Sequence, residues 1–487
     1  MNSIKIYFVF LASAAISFSV SAQTLTLENA LRVAQEKSPA LQKSTLELKQ
    51  SYFGLKSAKL SFWSTVDLNL TTPFLSKNIT EVLDTSGKTS FVEREYISYS
   101  SELSINQPII WTDGTLSLIN SITARQDKGF DKNFIGDVRL RLTQPLFTYN
   151  RRSTGLERAE IQLAIAQKSY TVNQQEIIFQ VKSAYFDWFK AVQFVKIAES
   201  ELEQVKSSYD LAKKKFDSGI IAEVEVLKLE VDYATSQNDV YQKKTSALSA
   251  ENKLKILLGM PLEEKISTPQ EINLRQIKVA TESILPEALK NRPEIDNAQK
   301  FLRLQEISVT ETDAQREFRM DLSLEVGLTK TDPVFAELAR NPNRAQQVSV
   351  NLSIPIWDWG RNSAQVQSQQ AVYDSRQIDV NEAKKNLVNE INNLTEGYLA
   401  AESRLKILEK TVSLAQKSYD ISYQKFRSGN LSSEELAQTQ KRLTDSKVNS
   451  ITALLDYHLS IAALNKACLF DWENNLPLTE NLPQFED

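Results

Sequence analysis

The sequence predicts a mainly α fold with a smaller β part, in which an internal duplication repeats long α-helical coiled-coil hairpins joined to strands. Three observations carry this prediction. Only 12 Gly and 13 Pro occur among 487 residues, about 5% of the chain where average usage is nearer 12%, so turns are few and elements are long. Apolar residues recur at alternating steps of four and three, which is the coiled-coil period. The same pattern returns 210 residues later, which marks an internal repeat.

The composition excludes several classes of protein. The chain has one His and one Cys, so His/Cys zinc sites, intrachain disulfides and most His-dependent catalysis are excluded. A net charge of −4 with no basic run argues against a nucleic-acid partner. No nucleophile–base constellation is present, so the sequence does not predict an enzyme, and it predicts no cofactor or metal site.

Residues 1–22 have the pattern of a secretory signal peptide. Lys5 precedes the apolar stretch Ile6 to Val20, which ends in small residues, and cleavage is expected before Gln23. A membrane anchor is the alternative, but about 15 apolar residues are short for a span. No later stretch reaches about 18 uninterrupted apolar residues. The mature chain is therefore expected to be exported, and to enter a membrane only as a β-barrel.

Each half opens with a shorter predicted helix. The first covers roughly Leu27 to Leu60 with an interruption at Pro39, and the second covers roughly Ser283 to Glu317 with an interruption at Pro293. These helices pair at an offset of 254 residues, whereas the coiled coils pair at 210. The first half therefore carries 44 extra residues within the range 41–145.

Strand patterns separate these helices from the coiled coils. Apolar and polar residues alternate in segments 66–70, 138–142, 322–328 and 348–354. One apolar and one polar face over about ten residues is typical of membrane barrel strands; a periplasmic sheet with one face against a helix is the alternative. Two further alternating segments, Ile97 to Ile105 and Leu116 to Ile122, flank Trp111-Thr112-Asp113-Gly114, and Asp-Gly is a strong hairpin signal.

Two matching apolar seams predict the long helices. The first consists of Ile177, Val181, Ala184, Trp188, Ala191, Val195, Ala198, Leu202, Val205, Tyr209, Ala212 and Phe216. The second, offset by 210, consists of Ile391, Leu394, Tyr398, Ala401, Leu405, Leu408, Val412, Ala415, Tyr419, Ser422 and Phe426. Each ends at Phe-x-Ser-Gly, whose Gly is a helix C-cap signal, and a helical pattern then resumes. Each half thus forms a helical hairpin with an arm of roughly 93 Å; a soluble antiparallel coiled coil is the alternative.

The duplication also gives the predicted domain boundaries. Residues 1–22 are the signal peptide. Residues 23–265 form the first repeat, which contains a helix, strands with the extra hairpin, and a long helical hairpin. Residues 266–487 form the second repeat.

This order of elements resembles the TolC-type outer-membrane efflux proteins, the outer membrane factor family, over essentially the whole mature chain. Besides the duplicated halves and the twin Phe-x-Ser-Gly turns, the motifs are Asn291 to Ile295, Gln-Pro-Leu-Phe from Gln144, Ile-Pro-Ile-Trp-Asp-Trp-Gly from Ile354, and Leu257 to Gly259. The resemblance implies a homotrimer with one shared β-barrel in the outer membrane and a periplasmic α-barrel tunnel. It also implies two protein partners, a periplasmic adaptor (membrane fusion protein) and an inner-membrane pump. The implied function is passive export of small molecules or proteins, as the channel of a tripartite efflux or type I secretion system.

The strand count supports oligomerisation independently. Two strands per half give four per chain, fewer than the roughly eight that close a barrel, and open edges cannot face lipid. Four strands per chain allow eight or twelve strands; three chains, and hence twelve, come from the resemblance. We expect the hairpin around Thr112 to Gly114 to extend the extracellular side, because eighteen strands would be wider than the helical tunnel. Six strands per chain is the other hypothesis.

The resemblance also places candidate functional residues at the two hairpin turns. Family members carry gate acids after the second turn, where this chain has Glu434 and Glu435, although the family acids are usually Asp and lie slightly further on. The alternative is a capping box, Ser432-x-x-Glu435, which satisfies free N–H groups of the new helix. The candidate adaptor-docking residues are Gly219, Ile220, Gly429 and Leu431; the alternative for both Gly residues is the turn itself.

Two other classes of function are the alternatives to an export channel. A structural periplasmic coiled-coil scaffold would be recovered with soluble protein and would show no stable trimer. An enzyme is disfavoured because His458 is interpreted as an ordinary helix-surface histidine and Cys468 as a buried thiol.

Overall fold

The computed structural model describes residues 23–83, 87–129, 131–269, 277, 279–315, 317–478 and 482–485. The predicted signal peptide, residues 1–22, lies outside the described residues. In chain order the elements are β1 (Gln23–Thr24), α1 (Leu27–Lys37), α2 (Pro39–Leu60), β2 (Thr65–Leu83), β3 (Thr89–Ile109), β4 (Gly114–Asp127), β5 (Asn133–Leu146), α3 (Arg151–Asp217), α4 (Glu223–Leu258), β6 (Ile266–Ser267), α5 (Thr281–Asn291), α6 (Glu294–Asp313), β7 (Arg319–Asp332), a 3₁₀ turn (Phe335–Glu337), β8 (Asn343–Ser353), α7 (Arg361–Arg427), α8 (Ser433–Cys468), β9 (Phe470–Asp471) and β10 (Leu476–Pro477).

The helices repeat as the sequence predicts. α3 and α7 each have 67 residues, and α4 and α8 each have 36. α7 begins 210 residues after α3, and α8 begins 210 residues after α4. At 1.5 Å per residue, α3 and α7 are each about 100 Å long. The two long helical hairpins are therefore confirmed, and the repeat continues to the last residue of both α4 and α8.

The predicted seams face the interior with one exception. Fully or nearly fully buried members include Val181, Trp188, Ala212, Ile391, Tyr398, Leu405 and Phe426. Phe216 differs, because 41% of its surface is exposed while its counterpart Phe426 is 3% exposed. The heptad pattern correctly identifies both positions as helical. It does not determine whether the last apolar residue of the seam is buried, which differs between the two equivalent helices.

The chain divides into two structural units. Of the residues that the structure describes, those up to 44 and those within 172–291 and 390–480 form the helical unit, and those within 45–171, 292–389 and 481–487 form the sheet unit. In the helical unit, β1 pairs with β6 in parallel. In the same unit, Tyr398 and Tyr457 both donate to the Ile277 carbonyl, at 3.1 and 2.6 Å.

The sheet unit contains one six-stranded antiparallel sheet in the order β2-β3-β4-β5-β7-β8. The expectation of four sheet strands per chain is therefore wrong, since β3 and β4 are inserted between β2 and β5. Among the described residues, β2 and β8 each have a strand neighbour on one side only. The sheet thus has two open edges.

The inserted hairpin also turns at the opposite end from the one expected. Thr112 donates to the Gln144 side chain at 2.7 Å, and Gln144 returns a bond to the Thr112 carbonyl at 2.8 Å. Arg152, in the first turn of α3, donates to the Gly114 carbonyl at 2.6 Å. The turn from Thr112 to Gly114 therefore lies where β5 runs into α3. The far end is extended by β2 and β3, which remain paired as far as Leu83 and Thr89.

The two faces of the sheet differ in polarity, as the alternation predicts. The register places Val66, Ile105, Leu118, Leu140 and Val326 in one row across five strands, and all five side chains are exposed. The row on the opposite face consists of Asn106, Ser117, Arg141, Glu325 and Gln347. The exposed apolar face thus needs a covering that the single chain does not supply.

Two further predictions concern α8. Cys468 is a fully buried thiol, as predicted. His458 is only 7% exposed, so its interpretation as a surface histidine is wrong. Burial, together with the charge of Lys182, lowers the pKa of His458 to about 4. Within the described part of the chain, no helix is both long and apolar enough to cross a membrane.

Candidate functional site: the hairpin turns

The turns of the two helical hairpins share one backbone geometry. Gly219 and Gly429 have φ of +74° and +84°, a conformation that Gly adopts without steric cost. In the first turn, the Ile220 amide donates to the Lys215 carbonyl at 2.8 Å. In the second, the Asn430 amide donates to the Lys425 carbonyl at 2.9 Å. Both turns are Schellman motifs, in which the helix C-terminus is closed by bonds that reach back over it.

A small hydrophobic core joins the two hairpins just behind these turns. Its buried members are Ala212, Val226, Leu229, Tyr419, Phe426, Leu436 and Leu443. They come from α3, α4, α7 and α8, so all four helices meet here. The two turns of one chain are therefore packed as a unit, and neither is a free loop.

The second turn has a complete capping box. The Ser432 hydroxyl accepts from the Glu435 amide at 3.3 Å, and the Glu435 carboxylate accepts from the Ser432 amide at 3.3 Å. Two otherwise unpaired N–H groups at the start of α8 are thereby satisfied. The structure thus gives Glu435 a capping role, which was one of its two sequence interpretations.

Glu434 is exposed and lies close enough to the first hairpin to affect a carboxyl group there. Burial raises the pKa of Asp232 on α4, and the charge of Glu434 raises it further. Like charges that approach each other disfavour ionisation. Glu434 therefore contributes negative potential beside the second turn.

The first turn lacks a side-chain cap, and Glu225 makes its contact with the second hairpin instead. Ala222 occupies the N-cap position of α4 and makes no side-chain cap bond. Glu225, the counterpart of Glu435, instead accepts a hydrogen bond from the Ser433 hydroxyl on the second hairpin. That bond and the nearby Lys228 hold the pKa of Glu225 below its ordinary value. A carboxylate of the first hairpin thus stands at the N-terminus of α8, where the helix dipole favours negative charge.

Lys215 makes the complementary contact at the end of α7. Its side chain is 9% exposed, and its ammonium donates to the Phe426 carbonyl at 2.5 Å. The same ammonium lies 4.6 Å from the centroid of the Phe426 ring. The Phe426 carbonyl belongs to the last turn of α7, whose dipole favours a cation. The first hairpin therefore supplies a cation to the end of α7 and an anion to the start of α8.

The four candidate docking residues have different environments. Gly219 and Gly429 are exposed, and Ile220 is 66% exposed. Leu431 is only partly exposed because it packs against the core behind the turns. The repeat offset pairs Leu431 with Ile221, which packs in the same way. Ile220 is therefore the apolar candidate that a second protein could contact directly.

The arrangement fits an electrostatic and mechanical role. Within the described residues, no group of three or more His, Cys, Asp or Glu side chains could hold a metal ion. Sequence reasoning missed the contacts of Lys215, Glu225 and Asp232. One signal was available: Ala222 stands where the second repeat has Ser432, so Glu225 has no capping box to join.

The chain matches the family described as outer membrane efflux protein over residues 120–260 and 284–468. It is 22% identical over 350 residues to the probable efflux pump outer membrane protein TtgC of Pseudomonas putida, a match that covers 70% of this chain and 68% of TtgC. It is 20% identical to the outer membrane protein TolC of Vibrio cholerae, covering 66% of this chain and 74% of that protein.

Solved structures agree in fold. The CmeC outer membrane channel of Campylobacter jejuni superposes with a TM-score of 0.71 at 14% identity and covers 99% of this chain and 95% of CmeC. VceC of Vibrio cholerae gives a TM-score of 0.68 at 15% identity, covering 91% of this chain and 95% of VceC. At these identities the likeness concerns the fold alone.

Proposed function

This chain belongs to the outer membrane efflux protein family, and on that premise we propose that it is the outer-membrane duct of a tripartite efflux or type I secretion system. The protein is a channel and not an enzyme, and its location is the outer membrane with an extension into the periplasm. The observation that carries the proposal is the family match, which extends over both repeats. Export through the duct is passive, and the pump supplies the energy.

A homotrimer completes the wall of the duct. The open edges of β2 and β8 cannot remain unpaired in lipid, because each unsatisfied backbone group costs several kcal/mol. Pairing β2 of one chain with β8 of the next satisfies both edges. Three chains of six strands then form an eighteen-stranded barrel, in the size range of the 16–18-stranded porins, which leave an aqueous channel. The exposed apolar face of the sheet contacts outer-membrane lipid.

The helical hairpins form the periplasmic part of the duct and meet its partners. A periplasmic adaptor docks at the turns, where Gly219 and Gly429 present tight corners and Ile220 an exposed apolar side chain. Leu431 supports the second corner from behind. The adaptor connects the duct to an inner-membrane pump. No nucleic acid takes part.

The gate lies at the same turns. Three copies of Glu434 and Glu435 near the trimer axis would make the aperture negative and attract cations. The contacts of Lys215 and Glu225 hold the second hairpin against the first, so that opening the aperture requires them to separate. The capping role of Glu435 is compatible with this proposal, because a capping carboxylate keeps its negative charge.

Fractionation and conductance test the proposal together. The protein should be recovered with the outer membrane, should run as a trimer that survives mild detergent, and should form ion-conducting channels in planar lipid bilayers. Recovery as a soluble protein without a stable trimer and without conductance would instead support a periplasmic coiled-coil scaffold.

A further inference from the structure

A cavity of about 1170 Å³ lies within the sheet unit, where the strands run into the long helices. The two strand-to-helix junctions, residues 145–151 and 355–363, provide most of its lining, together with residues from α6 and β7. Neither the gate nor the adaptor-docking surface involves these residues. The cavity is therefore a candidate for a separate role.

The charged side chains that line the cavity differ in whether they have an ion-pair or hydrogen-bond partner. Three of its acids already have partners: Asp113 pairs with Arg152 at 3.4 Å, Glu311 pairs with Arg158 at 2.5 Å, and Asp358 accepts from two backbone amides at the start of α7.

By contrast, the guanidinium groups of Arg151, Arg319 and Arg361, all of which line the cavity, have no hydrogen-bond or ion-pair partner among the described residues. Asp321 is the one lining carboxylate that is equally free there. Three free guanidinium groups face one free carboxylate, so the unsatisfied charge of the cavity is positive.

A buried donor adds to this excess. Asn362 lines the cavity and is only 6% exposed, yet its side-chain Nδ2 has no hydrogen-bond partner in the described structure. A buried N–H group without a partner is unfavourable unless a bound molecule satisfies it. Donors and cations therefore converge on one space.

The rim of the cavity is aromatic. Trp357 and Trp359 pack edge to face with their ring centroids 5.6 Å apart, and they are 74% and 89% exposed. Exposed indoles next to cations suit an amphiphile that has an anionic head, because such rings have an apolar body and a polar N–H. Arginine forms bidentate hydrogen bonds with phosphate oxygens.

We propose that this junction cavity binds a phosphate-type oxyanion, held by Arg319 and Arg361 with Asn362 as an additional donor. Two sources share that chemistry, the headgroup of a membrane phospholipid and a free phosphorylated solute. The proposal goes beyond the duct function and does not require the channel to be open.

Binding to the detergent-solubilised full-length protein tests the site. One arm titrates inorganic phosphate and follows it by phosphorus-31 NMR. The other arm incubates the protein with vesicles of phosphatidylglycerol in phosphatidylcholine and measures the lipid phosphorus retained per chain. Binding of free phosphate identifies a solute site, and retention of lipid alone identifies a headgroup site; either result supports the oxyanion class.

Substitutions decide whether the named residues form the site. Arg319→Gln/Arg361→Gln should weaken binding at least about tenfold, because two charge-assisted hydrogen-bonding groups are lost. Asn362→Leu should weaken binding about threefold. Arg319→Lys/Arg361→Lys should bind more tightly than the double Gln variant, because lysine keeps the positive charge, but less tightly than the unmodified protein, because lysine lacks the two-pronged geometry of arginine. Arg340→Gln is the matched control, since Arg340 is an exposed arginine of the same sheet unit that pairs with Glu337.

Two results would overturn the proposal: no binding of either probe to the unmodified protein, or equal binding by the double Gln variant and the Arg340→Gln control. Bilayer conductance, measured on the same samples, reports on the duct separately. If the protein conducts ions but binds neither probe, the oxyanion site is refuted and the proposed duct function is not.

Discussion

The two hairpin turns of this chain have the same length and backbone geometry but opposite roles. At the repeat offset of 210, Lys215 corresponds to Lys425 and Phe216 to Phe426. In the first hairpin the lysine is buried and the phenylalanine is exposed, whereas in the second the lysine is exposed and the phenylalanine is buried. The two turns have therefore exchanged which of two adjacent residues packs inward.

This exchange shows what the duplication has allowed. The second turn satisfies its own helix start through Ser432 and Glu435, while the first turn lends Lys215 and Glu225 to the ends of α7 and α8. The first hairpin acts as a support and the second as the supported element. If the second turn moves during opening, the contacts that must break are those that the first hairpin supplies.

The largest difference should come from the exchanged phenylalanines. Phe426→Ala removes a buried ring and should lower the local opening free energy by about 3–5 kcal/mol. Phe216→Ala, its matched control, should cost less, about 1 kcal/mol, because Phe216 is 41% exposed where Phe426 is 3% exposed. Hydrogen–deuterium exchange across residues 423–436 measures both. Equal losses would mean that Phe216 is buried against another chain in the trimer.

The buried lysine gives the next largest effect. Lys215→Met keeps most of the side-chain volume but removes the ammonium that donates to the Phe426 carbonyl, which then keeps only its bond from the Gly429 amide. Because a charge-assisted hydrogen bond is lost, local opening should become easier by about 1.5–3 kcal/mol. Lys425→Met, at the exposed counterpart, should change it by no more than about 0.5 kcal/mol. Limited proteolysis at the second turn provides the measurement. If both variants are cleaved at the same rate, the support by the first hairpin is refuted.

Much of this architecture could be predicted because the helical patterns are long. The seams, the Gly at each turn and the capping box at Ser432 are local signals, and the structure confirms them. Exchanged packing at equivalent positions could not be foreseen, since Lys215 and Lys425 are the same residue type in the same sequence context. Which face packs inward depends on the neighbouring hairpin.

The error in the sheet has a different origin. Alternation identified every strand of the sheet, but it does not say which strands are neighbours. Counting turns would have corrected part of it: β2 starts at the end of α2, so in an antiparallel meander the β3–β4 turn must return to that same end. The hairpin at Thr112 to Gly114 could therefore never have extended the far side.

The cavity at the strand-to-helix junctions could not be predicted from the sequence, because its residues come from four separate segments.

A smaller effect, which depends on pH, is expected at Glu225 of the first hairpin. Glu225→Gln should make local opening easier by about 0.5–1 kcal/mol at neutral pH, since a carboxylate near a helix N-terminus is lost. The pKa of Glu225 is lowered in the folded protein from its ordinary value of 4.5. Its contribution is therefore present above pH 4.5 and lost as the pH falls through the lowered value. Hydrogen exchange at two pH values should show the variant and the parent protein converging in acid; a gap that persists there would exclude the ionised carboxylate as the cause.

The smallest effect on stability, and the most specific effect on function, is expected at Glu434 and Glu435. In Glu434→Gln/Glu435→Gln the side-chain size is kept, and Gln also serves in a capping box. Gln and Glu have similar helix propensity, so trimer stability should change little. The charge at the proposed aperture is lost, however, and single-channel recordings should show weaker cation preference and weaker block by divalent cations added at the periplasmic end. The removal of Glu434 should also let the pKa of Asp232 fall, because one of the two causes that raise it disappears. Unchanged selectivity in normal trimers would confine Glu435 to capping, and the aperture charge would then have to come from the first hairpin, where Asp217, Glu223 and Glu225 are the nearest acids to the turn.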